Sequence, residues 1–203
     1  TTMMAYPLSR HDFAARRPIT MLTAFTMLFS GGMIPTFLVV KNLGLIDTVW
    51  SLVLPGLVSP WNMFIMKNYF QTSIPTELYE AASIDGADNF HLLRSVVLPL
   101  SAPIVAVMVL YYGVAHWNSY FNALLYLRDR TRYPLQLVLR SFFSANAYSE
   151  QGGAGGDSGM TALLVSETMK YALIVIASGP ILCLYPLLQR FFVKGVMLGA
   201  IKG

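Results

Sequence analysis

The stretch EAASIDGA, residues 80–87, is a short polar stretch between long apolar segments. It contains Glu80 and Asp85, whereas only 12% of the 203 residues in the chain are charged and 55% are hydrophobic. An ordinary soluble domain has about 25% charged residues, because it needs a polar exterior around its core. This chain has too few charges to cover such an exterior, so its composition predicts an integral membrane protein.

The residues around Gly86 predict a helix, a turn and a second helix. Pro75 suits the start of the first helix, and Glu77 and Glu80 would lie in its first turns, where the helix dipole favours negative charge. Gly86 is expected to end this helix, because glycine adopts a left-handed backbone without steric cost. Asp88 can then cap the second helix.

The first predicted helix has one face of small residues. Leu78, Ala81, Ala82 and Asp85 recur at helical spacing, and the two alanines would let another backbone or a groove come close. Two interpretations remain open from these residues alone. The segment is either an amphipathic helix–turn–helix that rests at the membrane interface with its charges solvated, or a docking helix at the end of a membrane bundle.

Four segments are apolar enough to be membrane spans, namely residues 19–40, 49–66, 98–122 and 171–189. Residues 19–40 carry no charge, and as a helix they would reach about 30 Å, the thickness of the hydrocarbon core of a bilayer. Prolines and glycines interrupt the spans, which in a membrane is typical of kinks and close helix contacts.

The four spans place residues 70–98 and the C-terminal tail on the same side of the membrane. More Lys and Arg residues fall on this side than on the other, so the positive-inside rule predicts that it is cytoplasmic. The long polar region at residues 128–168 is then predicted to be an extracellular loop. Residues 1–8 are too short to span and are interpreted as the tail of an earlier helix.

Five residues are candidates for a substrate path. His116, Trp117, Asn118 and Tyr120 combine aromatic rings with polar groups, which suits a sugar, because its C–H faces stack and its hydroxyls need partners. Asn62 lies in the second predicted span, where a polar side chain is costly unless it faces protein or water. Interfacial anchoring of the aromatic residues and a helix-to-helix hydrogen bond from Asn62 remain alternatives.

The sequence does not indicate chemistry of its own. It shows no metal-ligand cluster and no nucleophile–base spacing, so we expect no catalytic residue, no metal and no cofactor. The glycines at residues 152–156 are not followed by Gly-Lys-Ser/Thr, so they do not form a P-loop. A net charge of +4 without a dense basic cluster does not indicate nucleic acid. Cys183 is the only cysteine, which excludes an intrachain disulfide.

The polar loop resembles a known motif. Permease subunits of bacterial ATP-binding-cassette importers share a cytoplasmic loop with the pattern Glu-Ala-Ala, three residues, Gly, nine residues, Ile, one residue, Leu-Pro. The matching residues here are Glu80, Ala81, Ala82, Gly86, Val96 in place of Ile, Leu98 and Pro99. Asp85-Gly86-Ala87, YPLQ at residues 133–136 and the C-terminal residues 193–203 resemble the carbohydrate-uptake branch. The likeness covers nearly the whole chain, but the opening helix of the family is missing.

The resemblance implies an all-α fold, a polytopic membrane helix bundle with a cytoplasmic helix–turn–helix coupling loop. Residues 1–203 would form a single, N-terminally incomplete permease domain in the bacterial cytoplasmic membrane. Its partners would be a second permease subunit, two cytoplasmic ATPase subunits that bind ATP and Mg, an extracellular solute-binding protein and a sugar substrate. The helix at residues 75–85 would insert into a cleft on one ATPase, whose closure would move the bundle as a rigid body.

By the same resemblance, the residues that couple the chain to the ATPase are Glu80, Ala81, Ala82, Asp85, Gly86, Ala87, Leu98 and Pro99. Three alternatives are an importer permease for a non-sugar solute, an ion-gradient-driven secondary transporter and a membrane scaffold or enzyme that transports nothing. A secondary transporter is disfavoured because the four predicted spans hold no Asp, Glu, Lys or Arg.

Overall fold

The computed structural model describes residues 1–151, 168–169, 171–186 and 189, with the backbone alone for residues 145–151. Within these residues every regular element is helical, which confirms the all-α prediction. The predicted flexible glycine segment at residues 152–156 and the predicted cytoplasmic tail lie outside the described residues.

The elements of the described part are short helices, two 3₁₀ turns (Leu54–Gly56 and Arg130–Arg132) and one π-helical segment, Leu93–Val97. The α-helices are α1 (Thr2–Ser9), α2 (Arg16–Leu28), α3 (Met33–Asn42), α4 (Trp50–Val53), α5 (Pro60–Ser73), α6 (Thr76–Ile84), α7 (Asn89–Leu92), α8 (Leu98–Leu100), α9 (Ala102–Trp117), α10 (Tyr120–Tyr126), α11 (Leu135–Gln151) and α12 (Tyr171–Pro186).

The chain divides into two compact units, and the described part of the first comprises Thr1–Gly44 and Val53–Val109. In this unit α1 packs against α5, and α2 contacts both. Met63, Met66 and Phe70 recur at helical spacing along α5 and are completely or almost completely buried. This buried stripe holds α1 immediately before the polar connector at residues 10–15.

The second unit comprises Leu45–Leu52 and the described residues within Leu110–Arg190. Its core contains Ala123, Leu127 and Leu137, so that α10 packs against α11. Leu52 and Tyr133 are partly buried against this core. The segment Leu45–Leu52, which includes most of α4, is therefore attached to α10 and α11 although it is distant from them in the sequence.

Asp47 holds the segment Leu45–Leu52 against the end of α10 and the residues after it, through both its backbone and its carboxylate. Its φ is +62°, and its N–H donates a 2.9 Å hydrogen bond to the carbonyl of Tyr126. Its Oδ1 accepts hydrogen bonds of 3.0 Å from the backbone N–H groups of both Arg128 and Asp129. Its own carbonyl accepts from the Arg132 guanidinium. The hydrogen bonds from the Asp129 and Arg128 amides lower the pKa of the Asp47 carboxyl.

Among the described residues, no single helix is both long enough and apolar enough to cross a membrane. Two consecutive pairs meet the length and composition of a span together: α2 with α3, bent by 120°, and Asn89–Leu100 with α9, bent by 86°. Gly32, with φ +85°, lies in the first break and Ser101 in the second. Glycine permits such a break because it lacks a Cβ.

The predicted spans therefore do not coincide with single straight helices. Residues 19–40 contain the break between α2 and α3, and residues 98–122 contain the breaks around α9. Residues 49–66 contain α4, a 3₁₀ turn and the first half of α5, because Pro55 and Pro60 interrupt a continuous helix. The exact membrane boundaries and the sidedness of the loops stay predictions.

Candidate coupling site

Helix α6 is the most exposed element of the polar loop. Pro75 has an extended backbone before its first turn, and none of the nine residues of α6 is buried. The large apolar side chain of Ile84 is 87% exposed. A single exposed apolar side chain is ordinary at a protein surface, so the exposure of the whole helix, rather than Ile84 alone, makes α6 available to a partner.

The turn after α6 has the geometry of a Schellman motif. Gly86 has φ +70°, the Ala87 N–H donates to the Ala82 carbonyl at 2.9 Å, and the Gly86 N–H donates to the Ser83 carbonyl at 3.2 Å. These two bonds satisfy carbonyl groups that a helix end otherwise leaves open. The prediction that Gly86 ends the helix in a left-handed conformation is confirmed.

The second helix begins as predicted. The Asp88 carboxylate caps α7 by accepting a 3.4 Å hydrogen bond from the Phe90 N–H. The π-helical segment Leu93–Val97 then leads into α8, which contains the Leu98 and Pro99 of the motif. π-Helical segments are frequent at functional sites. The motif thus ends in α8, after a π segment and directly before the 86° bend into α9.

The two faces of α6 meet different surroundings. Tyr79, Glu80 and Ser83 line a cavity of about 440 Å³ between α6 and the connector after α1. Leu78 and Ala81 lie on the opposite face by helical spacing and do not line this cavity. Glu80 is thereby on the cavity side of α6 rather than on the face of small residues, and its contact with a partner stays a prediction.

Arg10 joins the connector after α1 to both helices of the loop. Its Nη1 donates to the Asn89 Oδ1 at 2.7 Å and to the Tyr6 hydroxyl at 3.1 Å. Its Nε donates to the Asp12 carboxylate at 2.8 Å, and its guanidinium carbon lies 5.3 Å from the centre of the Tyr79 ring. The Asp12 hydrogen bond raises the pKa of Arg10 and lowers that of Asp12.

The Arg10 cluster was missed by reasoning from the sequence. Arg10 was interpreted only as one of the basic residues that flank a cytoplasmic helix end. The available signal was the spacing of Arg10 and Asp12 in a polar connector, but nothing in the sequence indicated that Asn89 would complete the cluster.

The candidate substrate residues are divided between the two units. Asn62 belongs to the first, where it is buried in the first turn of α5. Asn118 and Tyr120 belong to the second and line the same cavity of about 560 Å³. Trp117 donates from Nε1 to the Ala177 carbonyl at 3.0 Å and thereby attaches the end of α9 to α12.

His116 does not line the cavity that Asn118 and Tyr120 share. Its side chain is exposed, and its carbonyl accepts a 2.6 Å hydrogen bond from the Ser119 hydroxyl. Arg140, in contrast, was not predicted and lines the cavity with its guanidinium carbon 4.6 Å from the centre of the Tyr120 ring. The signal that could have identified it is a single positive charge in the otherwise apolar segment 134–143.

Comparison with known proteins agrees with this fold. Residues 2–198 match the family described as "Binding-protein-dependent transport system inner membrane component". The chain is 45% identical, over all of its length and 70% of the relative, to the polygalacturonan/rhamnogalacturonan transport system permease protein YtcP of Bacillus subtilis (strain 168). It is 46% identical to Protein LplC of the same organism, over all of its length and 68% of that protein.

A solved structure is also similar, that of a bacterial ABC transporter involved in the import of the acidic polysaccharide alginate. The TM-score is 0.79 at 34% identity, covering 93% of this chain and 66% of the matched chain.

The family match and the similar proteins define a permease subunit of an ABC importer, and the all-α fold agrees with this class. The chain belongs to the inner membrane component family of binding-protein-dependent transport systems, and it is a membrane protein. The members of this family are transport subunits and not enzymes. The chain spans about two thirds of the length of the relatives described above.

Proposed function

We propose that this chain moves a carbohydrate across the bacterial cytoplasmic membrane and is powered by a separate ATPase that docks on α6. The carbohydrate part is supported by the relatives whose names state polygalacturonan/rhamnogalacturonan and alginate as transported material. The partners are a second permease subunit, two cytoplasmic ATPase subunits that bind ATP and Mg, and an extracellular solute-binding protein.

The exposure of α6 is the observation that carries the docking proposal. The helix buries no residue of its own, yet both of its ends are held, by extended Pro75 before it and by the left-handed turn at Gly86 after it. A helix held in this way can enter a cleft without first losing conformational freedom, and preorganisation of this kind increases affinity. The small residues Ala81 and Ala82 allow the wall of the cleft to come close to the backbone.

The connection from α6 to the membrane bundle runs through Arg10. When the ATPases close, they displace α6 and α7, and the Arg10 contacts with Tyr79 and Asn89 transmit that displacement to the end of α1. Because α1 is packed on the buried stripe of α5, the helices of this unit move together. The coupling is therefore rigid-body gating of the bundle, with ATP hydrolysis left to the partner.

Cysteine protection tests the docking. The exposed Cys183 is first replaced by Ser in the full-length chain, and a single cysteine is placed at Ala81 or, as a control on the cavity face, at Ser83. Inside-out vesicles are labelled with a charged maleimide before and after the ATPase is stripped. We expect bound ATPase to slow labelling of A81C several-fold and that of S83C much less. Equal labelling of A81C with and without bound ATPase contradicts docking on this face.

An uptake assay tests the substrate. The full-length chain, its partner permease, the ATPases and the binding protein are reconstituted together, and labelled oligosaccharides, peptides and polyamines are compared. We expect uptake of a carbohydrate that requires both ATP and the binding protein. Uptake of a peptide or a polyamine without any carbohydrate contradicts the proposal, as does uptake driven by a proton or sodium gradient.

A further inference from the structure

The second unit contains a cavity whose lining combines a positive charge with hydrogen-bonding groups. Its volume is about 560 Å³, which lies in the range of small-molecule sites. The walls come from α11 and α12 and are mainly apolar, and the polar residues that line it are Asn118, Tyr120, Gln136, Arg140 and Ser178. A few polar groups within apolar walls are the usual composition of a binding site for a small molecule.

Arg140 is held over an aromatic ring in this cavity. Its guanidinium carbon lies 4.6 Å from the centre of the Tyr120 ring, which is a cation–π contact. A guanidinium that stacks on a ring keeps its N–H donors directed outward in its own plane. The paired N–H donors of a guanidinium match the two oxygens of a carboxylate, and the contact with Tyr120 limits where the Arg140 guanidinium can lie.

No acidic side chain is among the described residues that line the cavity. The two acidic side chains that the structure describes in this unit are engaged elsewhere. Asp47 accepts from the amides of Arg128 and Asp129, and Asp129 accepts from the Thr131 amide and lies 3.6 Å from the Arg132 guanidinium. Arg140 is exposed, so an anion from solution can reach its guanidinium, and the described lining of this cavity offers no carboxylate that would compete for it.

We propose that this cavity binds an acidic sugar, with the carboxylate of a uronate residue on Arg140. Asn118, Gln136 and Ser178 offer donors and acceptors for the sugar hydroxyls. The inference rests on the proposed function, because it requires that the transported solute is a carbohydrate. It narrows that solute to oligosaccharides that carry carboxylates.

The experiment compares acidic and neutral trimers of the same linkage. Labelled trimers of galacturonate and of mannuronate, and the same trimers with their carboxyl groups reduced to alcohols, are offered to the complete importer in proteoliposomes. R140Q removes the positive charge, and R140K keeps the charge but lacks the paired N–H donors of the guanidinium. R128Q is a control at an exposed arginine that does not line the cavity. The binding protein is the same throughout, so its own selectivity cancels when variant and wild type are compared.

We expect R140Q to lower uptake of an acidic trimer by about tenfold or more, the cost of one hydrogen bond between charged groups. The loss should appear as a higher KM, with uptake of the neutral trimer changed by less than about twofold. R140K should fall between R140Q and wild type, and R128Q should match wild type for both trimers. Assembly of each variant with its partners is measured by co-purification.

Five results overturn the inference. Equal loss of acidic and neutral uptake in R140Q would show that Arg140 contributes to packing and not to recognition of the carboxylate. Unchanged uptake of both trimers would show that Arg140 does not contact the transported sugar. An R140Q effect that disappears in liposomes without anionic lipid assigns the cavity to lipid headgroups. A wild-type importer that takes up only the neutral trimers contradicts this inference and leaves the proposed function standing. Uptake of none of the four contradicts this inference too, and the broader comparison of oligosaccharides, peptides and polyamines then decides the proposed function.

Discussion

The Nη1 of Arg10 donates a 2.7 Å hydrogen bond to the Oδ1 of Asn89, across 79 residues of sequence. This bond connects the end of α1 to the start of α7, the second helix of the coupling loop. It is charge-assisted, and the same guanidinium is fixed by Asp12 and stacked near Tyr79. The loop is thus attached to the bundle by one side chain with several partners.

Replacing Arg10 by Gln should weaken coupling more than assembly. Loss of one hydrogen bond from a charged donor costs about 1.5 kcal/mol or more, so ATP-driven uptake should fall about tenfold. Uptake and ATP hydrolysis measured on the same proteoliposomes report the ratio of sugar moved to ATP consumed. R17Q, at an exposed position in the first turn of α2, is the matched control. An R10Q importer with an unchanged ratio would show that Arg10 does not transmit the motion.

Replacing Gly86 by Val should uncouple the permease and leave it in the membrane. A left-handed backbone costs a β-branched residue about 1–2 kcal/mol, although a Cβ at this position would meet no atom within 4 Å. The cost is therefore in the backbone, and it should alter the angle of the turn between α6 and α7. Membrane abundance, ATPase co-purification and uptake are measured together.

The matched control for this change is G86N. Asparagine tolerates the left-handed conformation, so G86N should retain most of the uptake that G86V loses. If G86V binds its ATPase and transports like wild type, the turn does not determine the docking angle.

The Asp47 carboxylate should hold the backbone at residues 128–129 in a pH-dependent manner. Its folded pKa is lowered by the amide hydrogen bonds, so its contribution is present above the unfolded pKa of about 3.9 and is lost as the pH falls through the folded pKa. The protection factors of the Arg128 and Asp129 amides, which compare their hydrogen exchange with the intrinsic rate at the same pH, should therefore fall on acidification.

Two variants separate the charge of Asp47 from its geometry. D47N keeps an acceptor oxygen and tolerates the left-handed backbone, so its protection factors should lack this acid dependence while staying higher than in D47A. The same acid response in D47N and wild type would assign the effect to another group.

Replacing Trp117 by Phe should destabilise the purified complex through one lost hydrogen bond. The indole Nε1 donates to the Ala177 carbonyl at 3.0 Å, and such a bond contributes about 1 kcal/mol. For a protein of this size the Tm should fall by about 2–4 °C in thermal unfolding. W61F, at a tryptophan that is 63% exposed, should change the Tm much less. Equal shifts in both variants would show that the bond does not hold α9 to α12.

Local features of the coupling loop could be predicted because they depend on neighbours in the sequence. Gly86 ends α6 because its own backbone preference permits the left-handed turn, and Asp88 caps α7 because its carboxylate reaches an amide two residues ahead. The breaks in the predicted spans were harder to place. Pro and Gly mark where a helix can bend, but the 120° and 86° angles depend on how the flanking helices pack.

The sequence by itself determined that this chain is an α-helical membrane protein with one polar helix–turn–helix, because composition and helical periodicity are properties of single segments. Only the tertiary structure decided that Arg10 meets Asn89 and that Arg140 stacks on Tyr120. These pairs are distant in the chain, and their distances depend on the angles at which separate helices pack. Local propensity carries no information about such angles, so the cluster behind the coupling helix and the cavity around Arg140 became visible only in three dimensions.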